Sequence, residues 1–173
     1  MTESARSASS GLVFVDSAES LSRAEAFVAQ ECSLADSHDY AAWLNLWSVG
    51  ECAYWVPARG NDTSKMVSVI FDNRARLQTR VRQLMTEQHY SQIPTSTLAR
   101  VVTGMAVVAD DDPDILAVHG TFVLVEYRDE QQVVWAGRVL YRLIEEFGEL
   151  RMRAKTVELV NRSGWLPTLS FLI

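Results

Sequence analysis

The sequence predicts an α+β cone, with helices first and a strongly curved, mostly antiparallel sheet last. Three observations predict it. Apolar residues recur at helical spacing through the first half of the chain and at strand spacing from Thr97 onward. Four long strand-like runs, 97–109, 114–127, 131–146 and 149–161, are separated only by the turn sequences DDPD, RDEQ and FGE. Three of these runs carry a mid-run glycine, Gly104, Gly120 or Gly137, where bulges and bends are expected. Short connections make the strands antiparallel neighbours, and repeated bends curl the sheet. Its concave side can then cup the helices.

The elements follow in order. Residues 1–15 read as a loose arm, and 16–173 as one domain. Leu21, Ala24, Phe27, Val28, Leu34 and Ala35 form one face of a long helix, with Asp16 and Glu19 spaced as a capping box ahead of it. His38 and Asp39 can cap a second helix carrying Trp43, Leu44, Leu46 and Trp47, which Gly50 ends. Cys52 to Val56 reads as a strand closed by Pro57. Residues 58–66 are a polar loop, and Val67 to Phe71 is a short extended run. Asp72 can cap a helix that turns Leu77, Val81 and Leu84 inward and Arg76, Arg80 and Gln83 outward. Pro94 breaks the loop before the first long strand. The tail from Gly164 to Ile173 is strongly apolar, which points to burial in the fold or against another subunit.

Composition excludes several classes. The chain has 173 residues, enough for a real core, and a net charge of −6, which argues against nucleic acid as partner. No apolar run approaches the roughly 18 residues that span a membrane. The start of the chain lacks the apolar stretch of a signal peptide. Two cysteines, Cys32 and Cys52, are too few for a disulfide framework and fit a reducing, cytoplasmic setting. Neither cysteine has a histidine or second cysteine within three residues, as a Rieske centre requires. The three histidines, His38, His89 and His119, lie in a helix break, a loop and a strand, not at the spacing of an iron triad. Nucleophile-elbow, phosphate-loop and dinucleotide motifs are absent from the sequence. No metal or cofactor is therefore expected in this chain, and no catalytic residue.

Two clusters remain. Asp36, His38 and Tyr40 sit together at the helix break, with Tyr54 close by, and could line a pocket for proton transfer. The plainer reading is that Asp39 caps, His38 is solvated and the tyrosines pack. The other cluster is basic. Of sixteen basic residues only Lys65 and Lys155 are lysines. Strand alternation puts Arg151, Arg153 and Lys155 on one face, and Arg138 and Arg142 on one face of the preceding strand. This is either a solvated face balanced by Glu126, Glu145 and Glu146 or a docking surface, for which arginine is well suited.

The chain resembles the small (beta) subunit of aromatic-ring-hydroxylating dioxygenases. The resemblance rests on Leu34-Ala35-Asp36 before Tyr40–Trp47, on Tyr54-Trp55-Val56-Pro57, on Asp72–Leu77 with Arg80-Val81, on Ala136-Gly137-Arg138 and on Leu166–Ile173. Ser48–Glu51 departs from the family pattern. The resemblance implies a cystatin-like, nuclear-transport-factor-like cone. It implies a homotrimer of this chain within a hexamer of three large and three small subunits. The large (alpha) subunit would hold the Rieske iron-sulfur cluster and the mononuclear iron, and this chain would be structural, in aromatic compound catabolism. Arg74, Arg76, Arg138, Arg151, Arg153, Trp165, Leu169 and Phe171 are then the interface candidates. The competing readings are a free-standing dehydratase, isomerase or polyketide cyclase on the same cone, or a binding module with a dry pocket.

Overall fold

The structure is a computed structural model that describes residues 12–13, 15, 17–58, 68–86, 95–162 and 171–173. It contains helix α1 (Ala18–Asp36), helix α2 (Tyr40–Asn45), strands β1 (Ala53–Pro57) and β2 (Ser68–Asp72), and helix α3 (Arg74–Met85). Four long strands follow: β3 (Thr97–Val108), β4 (Ile115–Arg128), β5 (Gln131–Glu146) and β6 (Glu149–Leu159). They form one curved six-stranded sheet in the order β2-β1-β6-β5-β4-β3. Every neighbouring pair is antiparallel except β1 with β6, which is parallel. The α+β cone expected from the sequence is the observed fold.

The helices bury one side of this sheet. Ala24, Phe27, Val28 and Ala35 of α1 pack with Trp43, Trp47, Tyr54, Leu124, Leu143 and Met152 in a single core. Leu34, expected on the buried face of α1, is only partly buried there. Trp43, Trp47 and Tyr54 meet edge-on or tilted at 5.4–6.0 Å, the geometry aromatic quadrupoles favour.

The ends of the helices differ from expectation in detail. Asp16 lies outside the described residues, and Ser17 stands at the start of α1 without a side-chain cap. Asp39 caps α2 by accepting from Ala42 N. That helix ends at Asn45, before Gly50. Asn73, not Asp72, caps α3, accepting from Arg76 N. Asp72 instead closes β2 and pairs with Arg80 at 2.5 Å. Val15 N donates to Val107 O and Ala109 N to Val13 O, so the end of the N-terminal arm lies along β3.

Two of the mid-strand glycines, Gly104 and Gly137, serve different purposes. Gly104 has φ +60° and sits where the β3–β4 register shifts, so it is a true bulge. Gly137 is not left-handed. It is needed for space: a Cβ there would lie 2.9 Å from Phe122 Cε1 and press into the Glu158 carbonyl of the neighbouring strand. Close approach of two strands, rather than a special backbone bend, excludes a side chain.

Gly137→Val should therefore cost about 2 kcal/mol or more through overpacking, lowering Tm by about 4 °C or more. Thermal melting followed by circular dichroism checks this, and an unchanged Tm would mean the strands part without cost.

Candidate functional site

The centre of the cone holds a charged group that the sequence reading did not single out. Glu31 lies on the buried face of α1, in phase with Phe27, Val28 and Ala35, and is 0% exposed. Its Oε1 accepts from Lys155 Nζ at 2.8 Å and from Trp43 Nε1 at 2.7 Å. Its Oε2 accepts from the Tyr141 hydroxyl at 3.1 Å. Lys155, 2% exposed, stands over the rings of Tyr141 and Tyr54 at 5.5 and 5.9 Å. One carboxylate thus ties α1 to α2, β5 and β6. Burial alone would raise the Glu31 pKa, but the charges of Lys155 and Arg100 outweigh it and hold the value below its ordinary 4.5. Burial and the adjacent Glu31 push the Tyr141 hydroxyl far above its usual range.

Lys155 is in the core because β6 bulges. Arg142 pairs with Ala154 and Leu143 with Met152, leaving Arg153 as an extra residue. The bulge turns Met152 and Lys155 inward together. The expected shared face of Arg151, Arg153 and Lys155 is therefore not present. Glu126, expected on an outer face, is also buried, accepting from Ser96 Oγ at 2.6 Å and Trp135 Nε1 at 3.1 Å.

The proposed proton-transfer residues are each engaged elsewhere. Asp36 accepts from Arg100 Nε at 2.6 Å and from Arg100 N at 2.9 Å. Arg100 also donates to Leu172 O at 2.8 Å, so this pair clamps α1, β3 and the end of the chain. His38 has φ +60° and bridges Tyr40 OH at 2.5 Å and Ser96 O at 2.9 Å. A carbonyl only accepts, so in the neutral ring Nε2 carries the hydrogen and Nδ1 accepts from Tyr40. Burial pushes the Tyr40 hydroxyl up to about 12, which keeps its proton in place. Tyr54 donates to Ile173 O at 2.6 Å and accepts from Ile173 N at 3.0 Å. Asp36, His38 and Tyr40 meet the start of β3, whereas Tyr54 faces the Glu31–Lys155 pair, so the four do not form one pocket.

The arginines also separate. Arg74 reaches the Leu44, Trp47 and Ser48 carbonyls, each at 3.3 Å, beyond the end of α2. Arg76 reaches Phe71 O, Arg151 pairs with Glu149 and Asn45 O, and Arg153 with Glu51. Arg74, Arg142 and Arg153 line one open groove of about 650 Å³ with Gly50, Ala53 and Ala154. Arg138 is exposed on β5, opposite Glu158. Phe171 is buried against Trp135, with ring centres 5.7 Å apart, while Trp165 and Leu169 lie outside the described residues.

A model of the ring hydroxylating beta subunit family matches residues 30–163. The chain belongs to that family. The beta-subunit fold extends to solved structures. A chain of naphthalene 1,2-dioxygenase, solved with indole in its active site, superposes with a TM-score of 0.80 at 20% identity, covering 92% of this chain and 88% of that one. The beta subunit of benzoate 1,2-dioxygenase from Burkholderia mallei gives 0.74 at 21% identity, covering 91% and 100%. An NTF2-like protein with a cystatin-like fold from Novosphingobium aromaticivorans gives 0.57 at 15% identity, covering 83% of each chain. Among the described residues of this beta subunit, no group of three or more His, Cys, Asp or Glu is placed to hold a metal ion. The donor set of these described residues fits neither a Rieske cluster nor a mononuclear iron. His89 lies outside the described residues. No described helix is long and apolar enough to cross a membrane.

The buried pair generates a pH-dependent expectation. Lys155→Met strands a buried carboxylate and should cost about 3–5 kcal/mol at neutral pH. Because the folded pKa of Glu31 is depressed, the pair's contribution is present above about 4.5 and falls away as pH drops through the lower folded value. The stability difference between wild type and Lys155→Met, read by urea unfolding, should therefore shrink below that pH. A difference independent of pH would contradict the pairing.

The Tyr54 contacts give a second. Tyr54→Phe removes both bonds to Ile173 and should cost about 1–3 kcal/mol, measured by the same unfolding. No measurable loss would mean that water replaces the hydroxyl there.

Proposed function

We propose that this beta subunit is the architectural, non-catalytic component of a cytoplasmic ring-hydroxylating dioxygenase. It serves in aromatic compound catabolism as three copies assembled with three alpha subunits. The alpha subunit is the partner that carries the Rieske cluster and the mononuclear iron. The observation that carries this reading is the family match over residues 30–163. The side-chain chemistry supports it. Asp36, His38 and Tyr54 each hold backbone or side chains of another segment in place, and Tyr40 is bound to His38. Residues so engaged are poor candidates to move protons on a substrate. Dioxygen activation needs a metal or organic cofactor, since side chains alone lack the electron chemistry. The interface candidates Arg74, Arg76, Arg138, Arg151 and Arg153, with Trp165, Leu169 and Phe171, are proposed to seat this subunit in the complex. A free-standing enzyme on the same cone is the weaker reading, and no contact among the described residues favours it.

The test is co-expression with a ring-hydroxylating alpha subunit, followed by turnover of an aromatic substrate with reductant and dioxygen. The complex should hydroxylate, and the beta subunit alone should not. Asp36→Asn should lower Tm, because it weakens the clamp on Arg100, yet leave turnover per assembled complex unchanged. Turnover by the beta subunit alone, or a dead complex with Asp36→Asn and intact assembly, would overturn the proposal.

A further inference from the structure

In a chain of net charge −6, the groove of about 650 Å³ at the start of α3 is lined by three arginines against one carboxylate, Glu51. Its floor is built from the sheet. Ala53, Ala154 and Arg142 stand directly opposite one another across β1, β6 and β5, so they share one face. Ala75 of α3 lines a wall. Gly50 lines the rim, where a Cβ would meet only Ser48 Oγ at 3.6 Å and the backbone is not left-handed. Neither packing nor backbone requires glycine there, and its missing side chain keeps the groove open. Gly50 and Glu51 belong to the segment Ser48–Glu51, which departs from the family pattern. The groove is therefore shaped in part by residues particular to this chain.

The arginines differ in how far their charge is met. Arg142 makes two bonds of 2.7 Å to Asp110 and is neutralised there. Arg153 projects from the β6 bulge, a device that re-aims a side chain. It donates to the Glu51 carbonyl and, at 3.0 Å, to a Glu51 carboxylate whose side chain is 92% exposed. So exposed a pair is weak, and another carboxylate can take Glu51's place. Arg74 donates to the Leu44, Trp47 and Ser48 carbonyls, all through Nη1. Among the described residues it has no carboxylate partner. The carbonyls fix its guanidinium and leave Nε and Nη2 for a ligand. Burial raises the pKa of the Cys52 thiol in the lining, and the Arg74 and Arg153 charges pull against it, so both fields reach the same part of the groove.

We propose that this groove binds a small molecule with a carboxylate at one end and an apolar body at the other. The carboxylate sits between Arg153, where it takes the place of Glu51, and Arg74, whose planar fork of donors matches it. The apolar body lies over Ala53, Ala154 and Ala75. The volume falls within the range of small-molecule sites, about 300–1,000 Å³. The site goes beyond the proposed function and does not rest on it, since Arg74 and Arg153 can border the subunit contact and still face the groove.

Equilibrium dialysis of radiolabelled hexanoate against the purified full chain tests this. The wild type should bind one hexanoate per chain, saturably. Arg74→Met and Arg153→Met should each raise the dissociation constant at least tenfold. Glu51→Gln should lower it at least threefold, because the competing carboxylate is gone. Ala75→Trp, at an exposed position of α3, should fill the groove and abolish binding with unchanged circular dichroism. Hexanamide, which lacks the charge, and acetate, which lacks the apolar body, should compete at least tenfold more weakly than hexanoate. Should Arg74→Met lose its dichroism, Arg153→Met and Ala75→Trp decide. No saturable binding, or an affinity unchanged in Arg153→Met or in Ala75→Trp, would overturn the proposal. So would weaker binding in Glu51→Gln, or hexanamide or acetate competing as well as hexanoate. In the complex with the alpha subunit, exchanging the wild-type beta subunit for Ala75→Trp should remove one bound hexanoate per beta subunit. No loss there would also overturn the proposal and assign the groove to the subunit contact. A chain that binds hexanoate in this way but no alpha subunit would sink the proposed function and leave this inference standing.

Discussion

The ion pair between Glu31 and Lys155 is the constraint on which the cone depends. Two charges in a dry interior are costly unless each is paired and hydrogen-bonded. Here the carboxylate has three nitrogen or oxygen donors, from Lys155, Trp43 and Tyr141. Those donors sit on β6, α2 and β5, and the carboxylate on α1. Any slip of one element would leave a buried charge short of a partner. The pair therefore fixes the position of the helices on the sheet more tightly than apolar contact, which tolerates repacking.

The same logic runs outward from the pair. Arg100 reaches inward from β3, lowers the Glu31 pKa from a distance, and holds Asp36 and the Leu172 carbonyl. Tyr54 packs against Trp43 and Trp47 and holds both backbone groups of Ile173. The end of the chain is thus bound at successive residues by groups from β3 and β1. Polar side chains that might have served a reaction are committed to holding segments together. This suits a subunit whose contribution is shape and attachment.

Much of this was legible in the sequence. The four long runs became β3 to β6 within a residue or two, because side-chain alternation and turn residues are local signals. Asp39 at the start of α2 and Trp43 within it were equally local. The centre of the cone was not legible, for two reasons. Glu31 falls on the apolar face of its helix, four residues from Phe27 and three from Val28. A carboxylate in that phase is itself a signal that a cation must meet it, and Lys155 is one of only two lysines. The second reason is the bulge at Arg153. Strict alternation placed Lys155 beside Arg151 and Arg153 in solvent, and one extra residue reversed it. A bulge without glycine leaves little trace in a single sequence. Glycine itself misled at position 137, where neighbouring backbone, not backbone conformation, sets the requirement.

If the buried pair is a structural fastening and not an acid–base couple, its charges can be exchanged for neutral groups of similar shape. Glu31→Gln with Lys155→Met keeps an acceptor for Trp43 and a donor for Tyr141 and fills the lysine's space. The decisive measurement is turnover of an aromatic substrate per assembled complex, with this doubly substituted beta subunit bound to its alpha subunit. The account predicts wild-type turnover. A complex that assembles fully and melts normally but no longer hydroxylates would contradict it, and would make Glu31 and Lys155 participants in the reaction.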